Sequence, residues 1–274
     1  MFYGHYLSAI RLDPADPRRI FAAGDLGIEE TLDGGRTWHL VLRLTTTDLG
    51  WGPGTPRELL AGVESEGVEV SQDYGRTLHE ISGGLPHHSP LIGRVALAVA
   101  PSDPATMYVS MATLSHRYSE CLMGLYVTHD GGLTFARLRH RPDFLREPAA
   151  APPQAQGDYD QVLVAARSAG ALRRRRRAPG QRERRRDLDR LTQTFYLHID
   201  QHALLFTAQG LYIGDDGGVY RLTPGDTLQD LNTNLSITEV YPALAVRPRA
   251  TGCSLASRTT ARPSSACARA AGRP

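Results

Sequence analysis

One pattern recurs three times in this chain and limits what the chain can become. Thr31-Leu32-Asp33-Gly34-Gly35-Arg36-Thr37-Trp38, Ser71-Gln72-Asp73-Tyr74-Gly75-Arg76-Thr77-Leu78 and Thr128-His129-Asp130-Gly131-Gly132-Leu133-Thr134-Phe135 share a hydroxyl residue, then Asp, Gly and Thr at alternate places, and a large apolar residue at the end. Each place has a physical reason in a tight hairpin. The Asp carboxylate accepts backbone N–H groups of the turn, Gly supplies a positive φ, and the Thr with its apolar neighbour starts the next strand. Asp33, Gly35 and Trp38, Asp73 and Gly75, and Asp130, Gly132 and Phe135 are therefore expected to build structural corners. Trp38, Leu78 and Phe135 are expected to act as pegs between neighbouring units.

The repeated Asp moves from 33 to 73 to 130, a step of 40 and then a step of 57 that contains an insertion. A four-stranded propeller blade takes about 40 to 45 residues. With these corners the chain resembles the bacterial neuraminidase repeat, or Asp-box, β-propellers. That family includes sialidases, xyloglucan-hydrolysing glycosidases, sortilin-type receptors and a photosystem assembly factor. The resemblance implies an all-β fold, an incomplete β-propeller of four-stranded antiparallel blades with Asp-box hairpins. It also implies that the box is a corner away from the active site.

Turn and strand signals divide residues 1–250 into one partial propeller. Blades are expected at about 6–46, 47–90, 91–145, 156–192, 194–235 and 236–250, the last only begun. Asp13-Pro14-Ala15-Asp16-Pro17 and Pro101-Ser102-Asp103-Pro104 are turns whose prolines cannot continue a ladder. At 274 residues the chain is short for a complete seven-bladed ring, so a fragment is expected, with open strand edges and poor solubility.

The fourth unit breaks down. Ten arginines lie within 173–190, and outside that stretch 21 basic residues face 26 acidic ones, a net charge of minus 5. Residues 168–192 read as irregular. They fit either a blade translated out of frame from a GC-rich gene, consistent with the absence of Lys, or an arginine-rich arm that neutralises phosphates. The first is the reading adopted, so no nucleic-acid partner is expected. Residues 251–274 carry Leu255 as their one large apolar residue and are expected to be disordered. No apolar run reaches the roughly 18 residues of a membrane span. Met1-Phe2-Tyr3-Gly4-His5 does not read as a signal peptide, although intact family members are often exported, so the compartment is left open. Cys121, Cys253 and Cys267 have no metal or disulfide spacing, and no metal or cofactor is expected.

The fifth unit carries the most chemistry. In Gly214-Asp215-Asp216-Gly217-Gly218-Val219-Tyr220-Arg221, the string Asp-x-Gly-Gly-x-Tyr-Arg is similar to the one that carries the general base in the xyloglucanase family. By that resemblance Asp215 is the base; Asp25, in the comparable turn of the first unit, or Asp200 is offered as its partner from its own place in the sequence. Glycosidase chemistry needs two carboxyls, about 5 to 5.5 Å apart for retention or about 6.5 to 9.5 Å for inversion. Read from the residues alone, Asp25, Asp215 and Asp216 are acids in glycine turns. His198, Asp200 and His202 share a strand face, but strand rise separates the two histidines by about 13 Å, which disfavours a shared metal. Asp200 and His202 are read as polar groups that hydrogen-bond across the central channel. His87 and His88 are read as solvated surface.

Sugars pack on aromatic faces beside polar groups. Trp51, Tyr74, Tyr196 and Tyr241 lie near loops or strand ends, and substrate binding is assigned to Trp51, Tyr196, Tyr241, His202 and Asp216. No arginine triad of the sialidase kind stands out among Arg11, Arg43, Arg94 and Arg221. The expected function is that of a xyloglucanase-like glycoside hydrolase acting on β-linked polysaccharide. The alternative is a non-catalytic propeller that binds a glycan or protein ligand on its loop face.

Overall fold

Apolar residues alternating with period two, broken by Gly and Pro turns, give an all-β chain. The computed structural model describes residues 6–54, 58–114, 122–138, 157, 161–165, 201–225, 227–233 and 235, and the backbone of 240–245 and 254–257. No helix occurs among them. The strands form four four-stranded antiparallel sheets and one two-stranded sheet, and in every four-stranded sheet the order in space follows the order in sequence. That meander is the blade topology of an incomplete β-propeller. Two compact units are present, Met1–Gln181 with three sheets and Arg182–Pro274 with the rest.

Sheet one holds β1 (Leu7–Leu12), β2 (Ile20–Gly24), β3 (Gly27–Thr31) and β4 (His39–Leu42). Sheet two holds β5 (Thr46–Trp51), β6 (Leu59–Val63), β7 (Gly67–Ser71) and β8 (His79–Glu80). Sheet three holds β9 (Ile92–Val99), β10 (Met107–Thr113), β11 (Leu122–Thr128) and β12 (Ala136–Arg137). In the second unit, β13 (Gln201–Thr207), β14 (Gly210–Asp215), β15 (Gly218–Leu222) and β16 (Leu228–Asp230) make sheet four. There β17 (Val240–Ala245) also pairs with β18 (Ser254–Ser257), so four residues of the tail read as disordered are in a ladder.

The core of the first unit lies between sheets. Phe21, Ala23 and Ile28 of sheet one pack against Leu49, Leu59, Ala61 and Val63 of sheet two. Leu60 and Val68, on the opposite face of sheet two, pack against Val95, Leu97, Met107, Val109 and Met111 of sheet three. Each large apolar side chain buried in these seams contributes about 1.5 to 3 kcal/mol. The far face of sheet three, with Ala98, Ala100 and Tyr108, is covered by Leu163 and Ala165. Residues 161–165 thus begin a further layer where a fourth unit was expected, but without a strand ladder. Residues 168–192 lie outside the described residues.

The first strands of the three sheets are neighbours, β5 packing against both β1 and β9. The sequence gives no hydrophobic signal for β5, because Thr46, Thr47 and Asp48 precede Leu49. Cross-sheet hydrogen bonds replace that signal. The Thr47 hydroxyl donates to the Val95 carbonyl at 2.9 Å, and the Val95 N–H donates to that hydroxyl at 2.9 Å. Asp48 accepts the Leu97 N–H at 2.9 Å and Arg11 Nη2 at 2.9 Å. Burial pushes the Asp48 carboxyl above its ordinary range, and Arg11 opposes that push.

The three Asp corners share one set of hydrogen bonds, to which the first adds a bond from the Arg36 N–H to Asp33 at 2.8 Å. Thr31, Ser71 and Thr128 donate their hydroxyls to Asp33 at 2.8 Å, Asp73 at 2.7 Å and Asp130 at 2.6 Å. Each hydroxyl in turn accepts a glycine N–H, from Gly35 at 3.0 Å, Gly75 at 2.7 Å and Gly132 at 3.1 Å. The Asp also accepts the N–H of Thr37, Thr77 or Thr134 at 2.8 to 2.9 Å and the hydroxyl of the same residue at 2.6 Å. Those bonds hold all three carboxyls well below their ordinary range. Leu78 and Phe135 pack into the seams as pegs. Trp38 differs: it is half-buried and donates Nε1–H to the Gly35 carbonyl of its own corner at 3.1 Å.

Candidate functional site

Strands alternate in direction, so the turn between the second and third strands lies at the opposite end of a sheet from the Asp corner. That turn end holds Asp25 in sheet one, Glu64-Ser65-Glu66 in sheet two and Asp215-Asp216-Gly217 in sheet four. The backbone requirement is shared. Gly27, Gly67 and Gly218 open the third strands at φ 120°, 116° and 131°. A Cβ on Gly27 would stand 1.9 Å from the Leu42 carbonyl oxygen, and one on Gly218 would stand 2.0 Å from Asn232 Oδ1. No other residue fits such places.

In sheet four the turn is held from several sides. Gly217 N–H donates to Asp215 Oδ1 at 2.8 Å. His202 Nε2 lies 2.8 Å from Asp216 Oδ1, an ion pair when the imidazole is protonated. Asn232 Oδ1 accepts the Val219 N–H at 2.8 Å. Tyr220 is buried, and burial, with the Asp215 and Asp230 carboxylates, pushes its phenol up. Arg221, on the opposite face, donates to Gln229 Oε1 at 2.9 Å through Nε and to the Tyr212 hydroxyl at 3.2 Å. The turn therefore presents two adjacent carboxyls with distinct supports, one from a backbone amide and one from an imidazole.

His202 is paired with Asp216, just past the end of β14. The reason is the register: β13 is irregular between Gln201 and Ala203, and Gln201 stands opposite Asp215. Asp200, His198 and Tyr196 lie outside the described residues, and of Tyr241 only the backbone in β17 is described. Asp25 is exposed in its turn, its N–H donating to the Tyr6 carbonyl at 3.2 Å. Trp51 is half-buried, edge-on to Phe21 at 5.8 Å, and its Nε1–H donates to the Leu12 carbonyl at 2.9 Å. Tyr74 is a packing residue. It stacks on Phe21 at 6.1 Å, with the Arg19 guanidinium 4.0 Å over its ring.

Sheet two carries a cluster that sequence reasoning missed. His88 Nδ1 lies 2.5 Å from Glu66 and Nε2 lies 3.0 Å from Glu80, while His87 Nε2 lies 3.5 Å from Glu80. These histidines are exposed, but they face carboxylates and are not merely solvated. The hydrogen bond that His88 donates to the Glu66 carboxylate is the main cause of a raised His88 pKa. Burial, then Glu66 and Glu80, push the Glu69 carboxyl up. The available signal was Glu69 and Glu80, which face each other across β7 and β8. No group of three or more His, Cys, Asp or Glu residues able to hold a metal ion occurs among the described residues. Nor is any described helix long and apolar enough to cross a membrane.

No protein-family model matches this chain, and no curated protein matches it in sequence. Solved structures do match. The GH74 xyloglucanase from Xanthomonas campestris aligns at 19% identity over 48% of this chain and 21% of that one, with a TM-score of 0.34. The GH74 enzyme of Niastella koreensis aligns at 16% identity over 83% of this chain and 30% of its own, with a TM-score of 0.38. YCF48 from Cyanidioschyzon merolae aligns at 18% identity over 82% of this chain and 55% of its own, with a TM-score of 0.33. The matched region is thus less than a third of either GH74 chain.

Proposed function

We propose that this chain is part of an Asp-box propeller of glycoside-hydrolase type, acting on β-linked polysaccharide such as xyloglucan. The observation that carries the reading is the β14–β15 turn, where Asp215 and Asp216 stand side by side at the end of sheet four away from the Asp corners. In this reading Asp215 takes the proton of the attacking water. Asp200, in the same unit, is the second carboxyl, protonating the leaving oxygen as the glycosidic C–O bond breaks. His202 and Asp216 bind sugar hydroxyls beside it, and Tyr196 and Tyr241 supply aromatic surface. The test is release of reducing ends from a panel of β-glucans and xyloglucan by the full chain and by Asp215→Asn. Hydrolysis abolished by the substitution supports the reading, and hydrolysis unchanged by it removes Asp215 from the site.

One observation favours a second reading. The Asp215 Oδ1 bond to Gly217 N–H is the bond a turn acid makes whether or not it has a catalytic role. On that basis the turn end binds a glycan or protein ligand without cleaving it. Saturable binding of xyloglucan oligosaccharide with no reducing ends released, by wild type and Asp215→Asn alike, selects this reading.

A further inference from the structure

Two residues before the corner hydroxyl, sheet two places Glu69 on β7 directly opposite Glu80 on β8. At the same place sheet one sets Leu40 opposite Glu29, and sheet three sets Arg137 opposite Tyr126. Like charges that face each other across a ladder repel, so sheet two carries a pair that its own pairing does not need. Glu69 is the more unusual of the two. It is 6% exposed, yet it accepts no hydrogen bond and forms no ion pair among the described residues. Glu30, also buried, is held by Arg19 at 3.2 Å and by Arg76 at 3.2 Å, which is how a folded chain ordinarily treats a buried carboxylate.

The groups around Glu69 are fixed in place. The chain after β8 folds back over the β6–β7 turn, the His88 N–H donating to the Glu66 carbonyl at 3.0 Å and the Ser89 N–H to the Ser65 carbonyl at 2.8 Å. A Cβ on Gly67 would stand 2.9 Å from the Pro86 carbonyl oxygen, so the loop lies directly on the turn. The His88 ring takes one oxygen of Glu66 and one of Glu80, and His87 lies 3.5 Å from the other Glu80 oxygen. The charges that act most strongly on Glu69 are those of Glu66, Glu80, His88 and His79, and no permanent cation is among them. Both imidazoles are exposed and Glu66 and Glu80 are half-buried, so solvent reaches the rim of the group while Glu69 forms its floor.

We propose that Glu66, Glu69 and Glu80 form a binding site for a primary ammonium group, as carried by a lysine side chain or a free alkylamine. An ammonium offers three N–H donors to three carboxylates, whereas a guanidinium presents a planar fork suited to one. A metal ion fits less well, because no three of these groups are placed to hold one. A charge-assisted bond to Glu69 supplies the partner that the fold leaves out. His88 gives the site its pH dependence: the imidazolium repels a bound ammonium, and loss of its proton removes that repulsion while Glu69 is ionised.

The test is an NMR titration of the full chain with propylammonium chloride, following the His88 ring resonances. Tetramethylammonium chloride, of equal charge but without an N–H, is the control. The expected result is a saturable shift with propylammonium alone, about tenfold tighter at pH 9 than at pH 5.5. An alkylammonium, titrating near 10.4 as lysine does, is still charged at the higher pH. Glu69→Gln should weaken binding about tenfold. It should melt no lower than wild type, because it removes an unpaired buried charge. Glu80→Gln, at a more exposed position, should weaken binding too and decides the matter if the buried variant melts early. Asp16→Asn, between β1 and β2 at the corner end of sheet one, should bind as wild type does. A second titration with the peptide acetyl-Gly-Lys-Gly-amide separates the two sources of the ammonium. Tighter binding than propylammonium supports a lysine on a partner, and equal or weaker binding supports a free amine. Any of three results overturns the proposal: no saturable shift, an equal response to tetramethylammonium, or Glu69→Gln and Glu80→Gln variants that bind as tightly as wild type.

Discussion

The two ends of each sheet follow different rules. At the corner end, three hairpins separated by dozens of residues repeat the same donors and acceptors within a few tenths of an ångström. At the turn end the backbone is again shared, a glycine at φ 116° to 131°, yet the side chains diverge into Asp25, a Glu66–Glu80–His88 cluster and an Asp215–Asp216–His202 group. A corner that must close the same way each time holds its chemistry constant. A turn fixed by its glycine lets the neighbouring side chains differ from sheet to sheet.

The largest expected effect lies in the corners. Asp73→Ala leaves the Thr77 N–H and two hydroxyls without their acceptor, next to a glycine buried in the seam. The melting temperature should fall by several degrees, and a melt unchanged from wild type would break the comparison. Acid should act the same way. The corner carboxyls are depressed in the fold, so the stability they contribute is fully present above the ordinary carboxylate pKa near 3.8 and is lost as pH falls below it. A melting temperature flat from pH 5 to pH 2.5 would contradict this.

Next in size is Tyr74, which occupies the place of Gly34 and Gly131 at φ 64°. A non-glycine residue there costs about 1 to 2 kcal/mol. The stack on Phe21 and the Arg19 cation offset that by about 0.5 to 1.5 and 0.5 to 1 kcal/mol. Tyr74→Ala loses the contacts and keeps the strain, so it should destabilise more than Tyr74→Gly, by about 1 kcal/mol in denaturant melts. The reverse order would mean that the backbone at residue 74 carries no strain.

Smaller still is the His88 clamp. Its pKa is raised in the fold, so its contribution is fully present below the unfolded value of 6.5 and is lost as pH rises through the folded one. His88→Gln should flatten the melting temperature across neutral pH, and an NMR titration of His88 at or below 6.5 would rule the clamp out.

Much of this architecture was legible in the sequence, because the corner encodes itself in eight consecutive residues. Sheets one and three could be read strand by strand from Ile20-Phe21-Ala22-Ala23 and Val95-Ala96-Leu97-Ala98. In the first unit β5 escaped, because its buried Thr46 and Thr47 and its half-buried Asp48 carry no apolar signal and are stabilised by partners up to 49 residues away. The site was half legible for the same reason. Asp215 announces itself in a local string, whereas the His202–Asp216 and His88–Glu66 pairs depend on strand register and hairpin closure, which no local pattern carries.

The division between corner and turn is tested most directly by making one substitution at each end and comparing thermal melts of Asp73→Ala and Asp215→Ala. Asp73→Ala should lower the melting temperature several times more than Asp215→Ala, whose bond from the Gly217 N–H closes a turn that its glycine already shapes. Equal losses, or a larger loss at Asp215, would mean that the turn end holds the fold as the corners do.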